Sequence, residues 1–491
     1  MTNQLSRRRL LVGGALFGGS ALLAACGAAT PTPAPAKPAE KPADKPAAAA
    51  PAATTAPAAA PAAKPTEAPK PADAAKPTEA PKPAAAAPVG GKPPQEIKVT
   101  TRVGGDAEVM QKTVVKFQEK TGIKATHEAN PGEPEYWAKI QALHATKQAP
   151  DVIWASTGGA FAFFAKGVML EMDPLILGDK YNTEDYVKNA LDSLKYNGKQ
   201  YGLPWGGHPG NGGITYNVDL LNKAGLNVTD DAASFSNVTW QQIVEAGKKA
   251  TSGDTFGFMP TTDFLSITNF VGSYGGDFFD KEGKKLTINT PEFKNGLQLM
   301  YDIFVTHKIA PVPDPKFNAA ETFATGKLAM RHSGYWGQFD PGPKAIADKF
   351  KWNVGLTPKG PAGKRGTSLT INGQSIWSGT TKKDEAWALV KFLMEPEQNV
   401  EIVATGGGRP ALRNAVLNNE RLMKENRAHK VFVESIQAAE PWKQPANFRW
   451  PEFNTAVTQV FGNLWLGKET VDQAINNATK PLQDILDKPS A

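Results

Sequence analysis

Beyond residue 95, the apolar positions switch repeatedly between a period of two and a period near 3.6. Segments 97–103, 123–126 and 151–155 show the alternating or short apolar patterns of strands. Apolar residues at helical spacing occupy 110–117 between the first two segments and 136–143 between the second and third. This β-α-β-α-β order predicts a parallel sheet with helices on both faces.

The loops after these strands are the first candidates for contact with a ligand. Open α/β sheets bind ligands at the carboxyl ends of their strands. On that basis we expect 104–106, 130–133 and 156–159 to lie at a site.

The remainder of this part continues as strand–helix units. Thr239 with Gln242, and Thr470 with Gln473, form capping-box patterns that predict two further helix starts. Residues 95–491 are numerous enough for two α/β lobes, each with its own core. We expect short connections between the two lobes, because no second long linker interrupts the strand–helix pattern.

Composition changes sharply near residue 95. Of the 40 prolines, 18 lie between Pro31 and Pro94, whereas all 11 tryptophans lie beyond residue 95. A segment without aromatic residues buries too little apolar surface to offset its ordering entropy. We therefore predict a disordered Ala/Pro/Lys tether over 26–94, which contains a repeated KPTEAPKP unit starting at Lys64 and Lys76.

The first 25 residues have the organisation of an export signal. Three arginines from Arg7 to Arg9 precede a mostly apolar run from Leu10 to Ala25, which is shorter than the roughly 20 residues of a spanning helix. The arginines are typical of a twin-arginine signal, with an ordinary Sec signal as the alternative. Leu23 to Cys26 resembles a lipobox, which predicts lipidation of Cys26, the single cysteine in the chain.

Charge and histidine spacing argue against two classes of function. The formal net charge is +7, but residues 1–25 and 26–94 contribute +3 each, which leaves +1 for the globular part. A nearly neutral domain has little electrostatic reason to bind nucleic acid. The six histidines are scattered without metal-site spacing, so we predict no metal and no cofactor.

Four segments resemble family 1 extracellular solute-binding proteins, the group of maltose-binding protein and related sugar receptors. Each motif alone is degenerate, but their order and spacing together are specific. They are 150–175, beginning PDVIWASTGG; 201–226, beginning YGLPW; 323–336, beginning FATGKLAM; and 386–410, ending GGGRP.

The resemblance implies a two-lobed periplasmic-binding-protein fold of type II with a ligand cleft between the lobes. It places lobe 1 at about 95–210 and 355–408, and lobe 2 at about 211–354 and 409–491. It also implies a monomeric, non-catalytic receptor outside the cytoplasm, lipid-anchored at the membrane. Its partners would be a mono- or oligosaccharide and the membrane subunits of an ABC importer.

A sugar site needs flat aromatic surfaces and fixed hydrogen-bonding groups. Trp154, Trp336 and Trp450 correspond to positions where tryptophans stack on sugar in maltose-binding protein, with core packing as the alternative for each. Ser156 and Thr157 stand where that protein has charged residues, which argues against maltose itself. The remaining candidates are Trp205, Tyr274, Asn372 and Arg409.

Two alternative functions stay open at this stage. The glycine-rich run 206–213 lacks the Lys-Ser/Thr ending of a P-loop, but its backbone amides would suit a phosphorylated polyol such as a glycerol phosphate ester. A secreted glycosidase would need a pair of carboxylates. No spacing in the sequence singles out such a pair.

Overall fold

The strands and helices follow the order that the apolar pattern predicts. The protein is represented by a computed structural model that describes residues 95–133, 135–340, 343–404, 409–439 and 443–490. The predicted signal peptide, Cys26 and the 26–94 tether lie outside the described residues. All described residues belong to one compact unit of the chain, 83–491.

Two main sheets and one short hairpin contain the strands. In chain order the strands are β1 (Ile97–Arg102), β2 (Ala125–Asn130), β3 (Val152–Ser156), β4 (Lys195–Tyr196), β5 (Lys199–Gln200), β6 (Leu203–Pro209), β7 (Gly213–Asn217), β8 (Phe256–Met259), β9 (Leu328–Ser333), β10 (Trp352–Leu356) and β11 (Leu369–Ile376).

Helices connect and cover these strands. They are α1 (Gly105–Thr121), α2 (Glu135–Ala145), α3 (Ala160–Ala165), α4 (Asp173–Gly178), α5 (Lys188–Asp192), α6 (Val218–Lys223), α7 (Trp240–Ala250), α8 (Phe264–Ser273), α9 (Pro291–Tyr301), α10 (Ala319–Ala324), α11 (Pro343–Ile346), α12 (Lys383–Leu393), α13 (Pro396–Ala404), α14 (Asn414–Leu417), α15 (Glu420–Glu425), α16 (His429–Ala438), α17 (Trp450–Val460), α18 (Gly462–Trp465) and α19 (Val471–Leu486). Short 3₁₀ turns occupy Ala232–Phe235 and Tyr335–Gln338, and a π turn occupies Asp302–Thr306.

Each main sheet is the centre of one lobe. The lobe 1 sheet has the order β2-β1-β3-β11-β6, in which β1 pairs in parallel with β2 and β3 while β11 is antiparallel to β3 and β6. The lobe 2 sheet has the order β10-β7-β9-β8, with only the β8–β9 pair parallel. The predicted β-α-β-α-β unit is therefore present in lobe 1, and antiparallel strands complete both sheets.

Local sequence signals fix several helix ends as predicted. Thr239 and Thr470 each form a complete capping box with the glutamine three residues later, so both predicted helix starts are confirmed. Helix α1 ends at Gly122, whose φ of 74° is the left-handed conformation that glycine adopts without a Cβ clash.

Both lobes bury large apolar cores against their sheets. Phe117 packs under lobe 1 against Phe392 of α12, with ring centroids 5.4 Å apart. Phe293, Phe453 and Ile475 are fully buried in lobe 2. Full burial of side chains of this size stabilises the fold by about 1.5–3 kcal/mol each relative to exposure.

The first crossing between lobes is the turn from β6 to β7. Asn211 has a φ of 47° there, a conformation that Asn tolerates better than most residues. The Asn211 side-chain amide donates to the Asp263 carboxylate at 3.1 Å. The Asn211 backbone carbonyl accepts from the Asn269 side chain at 2.6 Å. These bonds attach the crossing to α8 of lobe 2.

The second crossing is the segment 357–368, because β10 pairs with β7 through Leu356 and so belongs to lobe 2. The predicted assignment of all of 409–491 to lobe 2 needs an adjustment. Leu412 and Ile436 pack in a core cluster of lobe 1, whereas Phe432 packs with Trp352 of lobe 2. The helices α14 to α16 thus contact both lobes.

Within the described residues, no helix combines the length and the apolar character needed to cross a bilayer.

Candidate functional site

The loops at the carboxyl edge of the lobe 1 sheet meet as the sequence predicts. The backbone N–H of Val103, after β1, donates to the carbonyl of Asn130 at the end of β2, with an N···O distance of 2.7 Å. Across this edge runs a row of three charges, Arg102, Asp106 and Arg409. Asp106 accepts from Arg102 Nη2 at 3.1 Å and from Arg409 Nη1 at 3.2 Å with both carboxylate oxygens.

Asp106 is ionised despite its burial. Burial alone would raise the pKa of its carboxyl group, but the neighbouring guanidinium groups of Arg409 and Arg102 outweigh that effect and lower the pKa. The carboxylate therefore holds two arginines from distant parts of the chain at one edge. This ion triad attaches Arg409, and the segment that follows it, to the carboxyl edge of the lobe 1 sheet.

The structure contradicts Trp154 as a stacking surface. Trp154 is 1% exposed, and its ring packs edge-on against Tyr136 with centroids 5.2 Å apart. The guanidinium of Arg102 lies over the indole at 4.6 Å from its centroid. The ring is therefore part of the lobe 1 core, with a cation where a sugar would stack.

Ser156 and Thr157 are also engaged within the protein rather than presented to a ligand. The Ser156 hydroxyl is hydrogen-bonded to the Glu133 carboxylate and accepts from the backbone N–H of Gly159 at 3.2 Å. The Thr157 hydroxyl accepts from the N–H of Ile371 at 3.4 Å. These side chains hold the loop after β3 in place, which corrects their predicted role as direct contacts.

Three of the candidate residues, Trp205, Asn372 and Arg409, lie close together in the structure. They line a cavity of about 10 Å³ beside Asp106, which is room for about one water molecule. Among the residues that the structure describes, Trp205 Nε1 and Arg409 Nε are buried without a hydrogen-bond partner. Such donors are costly to bury unpaired, so this end of the edge is suited to accept an oxygen atom from a solute or water.

Trp336 lies in lobe 2 directly after β9 and faces the β6 crossing strand. A Cβ placed on Gly334 would lie 2.9 Å from Trp336 Nε1 and 3.1 Å from the His208 ring, so both rings converge on this glycine. Trp336 is half-buried, and the guanidinium of Arg331 lies 5.4 Å from its centroid. Its contact with a solute stays a prediction.

His208 is neutral at this contact. Burial, followed by the charge of Arg409, lowers the pKa of its imidazole to about 3. Its Nδ1 is hydrogen-bonded to the carbonyl oxygen of Pro209 at 2.8 Å.

Trp450 connects the two lobes on the other side of the cleft. It begins α17 in lobe 2, and its indole packs edge-on against Phe264 with centroids 4.7 Å apart. A Cβ on Gly158, in the loop after β3 of lobe 1, would overlap the Trp450 indole. Gly158 thus permits a close contact between the polar edge of lobe 1 and an aromatic side chain of lobe 2.

Tyr274 lies at the other end of α8 from the residues that contact Trp450 and the first crossing. It follows the last residue of α8, whereas the first turn of that helix, at Asp263 and Phe264, lies beside the crossing and Trp450. Ten helical residues span about 15 Å. The helix places Phe264, rather than Tyr274, at the cleft.

The glycine-rich run does not form the predicted amide cradle for phosphate. The backbone N–H of Gly207 donates to Pro410, that of Gly210 to Ser368, and that of Gly212 to Pro209. Because these amides already have partners, they are not available as a group to an anion.

Several residues of the site escaped sequence reasoning. Asp106 and Glu133 lay inside loops that strand order had singled out, but their roles depend on partners at Arg409 and Ser156. His208 and Gly158 also lay inside segments that the sequence had singled out, but nothing near them indicated their contacts with Trp336 and Trp450 of the opposite lobe.

Comparison with known proteins agrees with this architecture. Residues 101–400 match the family described as "Bacterial extracellular solute-binding protein". An arabinooligosaccharide-binding protein of Halalkalibacterium halodurans is 26% identical over 364 residues, covering 70% of this chain and 76% of that protein.

Two solved structures of other bacterial proteins resemble the fold. A substrate-binding protein of Listeria monocytogenes in complex with cycloalternan has a TM-score of 0.69 at 23% identity, covering 80% of this chain and 98% of that one. UgpB of Mycobacterium tuberculosis in complex with glycerophosphocholine has a TM-score of 0.68 at 20% identity, covering 81% and 99%.

The chain therefore belongs to the bacterial extracellular solute-binding protein family. The predicted α/β, two-lobed binding-protein fold is confirmed. Members of this family are solute-binding components of ABC transporters rather than enzymes.

Proposed function

We propose that this protein captures a carbohydrate between its lobes and delivers it to an ABC importer. Family membership supports the receptor role, and sugar-binding relatives such as the arabinooligosaccharide-binding protein support the class of solute. In the structure, aromatic residues of lobe 2 also lie opposite polar residues of lobe 1.

The observation that carries this proposal is the meeting of Trp450 with Gly158, with Trp336 and His208 forming a second contact between the lobes. Tryptophan rings suit the apolar C–H faces of sugars, while hydroxyl groups need fixed donors and acceptors. Lobe 1 supplies those polar groups from Arg102 and Asp106.

Binding would act through the equilibrium between open and closed arrangements of the lobes. A solute that contacts both edges binds the closed arrangement more tightly, so it shifts the population toward closure. An importer that recognises the closed arrangement would then receive loaded receptor.

Export and anchoring are part of the same proposal. The arginines at 7–9 and the lipobox before Cys26 support a lipoprotein outside the cytoplasm, and the 26–94 tether would separate its binding domain from the membrane. We further propose that the protein acts as a monomer without catalytic activity.

A thermal-shift screen of mono- and oligosaccharides, followed by tryptophan-fluorescence titration, tests the proposal. Ligand at 100 times its Kd adds about 2.7 kcal/mol of stability. Trp336→Ala should weaken binding of a sugar hit by tenfold or more, whereas Phe339→Ala, three residues further on, should change it by less than about threefold. Equal losses in the two variants, or no sugar hit, would count against the proposal.

A phosphorylated polyol is the second candidate solute, favoured by the likeness to UgpB. Glycerophosphodiesters therefore belong in the same screen. A hit restricted to them would replace carbohydrate as the solute class, with Arg102 and Arg409 as the first groups to test, because the glycine-rich amides are occupied.

A further inference from the structure

A second and larger cavity lies beside the interlobe cleft. It has a volume of about 660 Å³, within the range of about 300–1,000 Å³ typical of ligand pockets. One face of α8, the loop 275–281, the second crossing 357–368 and the end of α16 form its walls. We call it the α8 cavity.

Phe264 lies between the α8 cavity and the contact of Trp450 with lobe 1. This ring lines the cavity and also contacts the indole of Trp450, which in turn lies against Gly158 of lobe 1. The cavity is therefore adjacent to the Trp450 contact, and a ligand that reached from one to the other would pass beside the Phe264 ring.

The walls combine apolar surface with hydroxyl groups. Phe264 and Phe279 supply aromatic surface, and Thr268, Ser368 and Ser435 supply hydroxyls. The Thr268 hydroxyl is buried and has no hydrogen-bond partner among the described residues. This mixture suits a sugar unit better than a small inorganic ion, which would make no use of the aromatic rings.

Cations outnumber anions in the lining. The charged residues of the cavity are Lys281, Lys359, Lys364, Arg365 and Lys443, with Asp277, Asp280 and Glu434. Lys443 pairs with Asp277, and Asp280 accepts from the backbone N–H groups of Lys284 and Lys285.

Positive charge therefore remains available to a ligand. In the described parts of the chain, Lys281 and Lys359 have no ion-pair partner. Arg365 donates to the backbone carbonyls of Thr357 and Ser236, which leaves its charge uncompensated except by the neighbouring Glu434.

We propose that the α8 cavity receives the carboxylate-bearing end of an acidic oligosaccharide whose other end lies between the lobes. This inference depends on the proposed carbohydrate-receptor function and narrows its solute class. Lys281 and Lys359 attract the carboxylate, while Phe264 and Phe279 contact the sugar rings.

Isothermal titration of the full-length chain with matched acidic and neutral oligosaccharides tests this proposal. Suitable pairs are trigalacturonate with its methyl ester, and cellobiouronate with cellobiose. The acidic member of at least one pair should bind more tightly, and its advantage should shrink with added salt.

Variants then locate the effect. The double variant Lys281→Ala/Lys359→Ala should lose on the order of fivefold affinity for the acidic sugar and less than twofold for its neutral partner. Lys285→Ala/Lys351→Ala is the matched control, since both are exposed lysines close in sequence that do not line the cavity. The control should retain wild-type affinity for both sugars.

Each other outcome overturns a defined part of the account. Sugar binding with no acidic preference, or an acidic preference that the cavity variant leaves intact, would refute the α8 cavity proposal and leave the receptor function standing. No binding of any sugar in the wider screen would refute both.

Discussion

The two edges of the cleft are built from different chemistry. Lobe 1 presents charges and hydroxyls that are bonded to one another, with Trp154 buried beneath them at 1% exposure. Lobe 2 presents aromatic rings, Trp336 and Trp450, at the contact between lobes.

This difference suggests a division of roles. The lobe 1 edge is held by bonds that exist without a solute, so its polar groups are pre-organised, which lowers the entropy cost of binding. The lobe 2 rings provide the apolar contact that is completed only when the lobes meet. Four predictions test this comparison, from the largest expected effect to the smallest.

Removing Arg409 should cause the largest loss of stability. The buried Asp106 carboxylate would then keep Arg102 as a partner but lose the guanidinium of Arg409. We expect Arg409→Ala to lower the free energy of unfolding by about 3 kcal/mol. Urea unfolding followed by circular dichroism measures this. Arg421→Ala is the control, because its pairs with Glu401 and Glu425 are exposed to solvent and should contribute far less to stability than the buried triad. Equal losses would show that the lobe 1 edge is no more than a surface ion network.

His208 makes the crossing sensitive to acid. Its pKa is about 3 when folded and about 6.5 when unfolded, so the unfolded chain takes up the proton first. This destabilisation is absent above pH 6.5 and grows as pH falls toward 3, reaching about 2 kcal/mol at pH 5.

His208→Gln should therefore flatten the fall in stability between pH 7 and pH 5, as measured by urea midpoints at each pH. His332, whose pKa burial lowers to about 4, accounts for part of the remaining fall. An unchanged slope in His208→Gln would mean that the ring is solvated in solution.

Gly158→Ala should impair closure of the two lobes. The added methyl group would overlap Trp450, so the lobes could not approach fully, and we expect roughly tenfold weaker sugar binding, which corresponds to about 1.4 kcal/mol. Gly132→Ala is the matched control, since a Cβ there meets no atom within 4 Å. Scattering profiles with and without sugar would report closure, and normal closure of Gly158→Ala would contradict the contact.

Ser156→Ala should have the smallest effect on binding. Its hydroxyl bonds to Glu133 and Gly159 within lobe 1, so removal should cost about 1 kcal/mol of stability and change affinity by less than twofold. A larger loss of affinity than of stability would restore Ser156 as a direct sugar contact.

Local patterns predicted the parts of the fold that local physics determines. The apolar periods located β1 to β3, and the threonine–glutamine spacing located the starts of α7 and α19. Short-range patterns were compatible with two lobes but did not require them. The resemblance to a known family predicted the two-lobed architecture.

The site was harder to predict because its contacts join distant positions. Asp106 and Arg409 are 303 residues apart, and nothing near either residue indicates the other. A strand such as β3 is apolar whether Trp154 faces the core or the cleft, so its sequence pattern did not decide between them. Tyr274 follows the end of α8 opposite to Phe264, so its contact with a solute stays a prediction.

Hydrogen–deuterium exchange of the protein with and without a bound sugar tests the central claim most directly. If the solute is held between the lobes, protection should rise in the 156–159 loop of lobe 1 and also in the 333–336 segment and the first turn of α17 in lobe 2. Protection confined to one lobe, or confined to the α8 cavity, would contradict capture between the two edges.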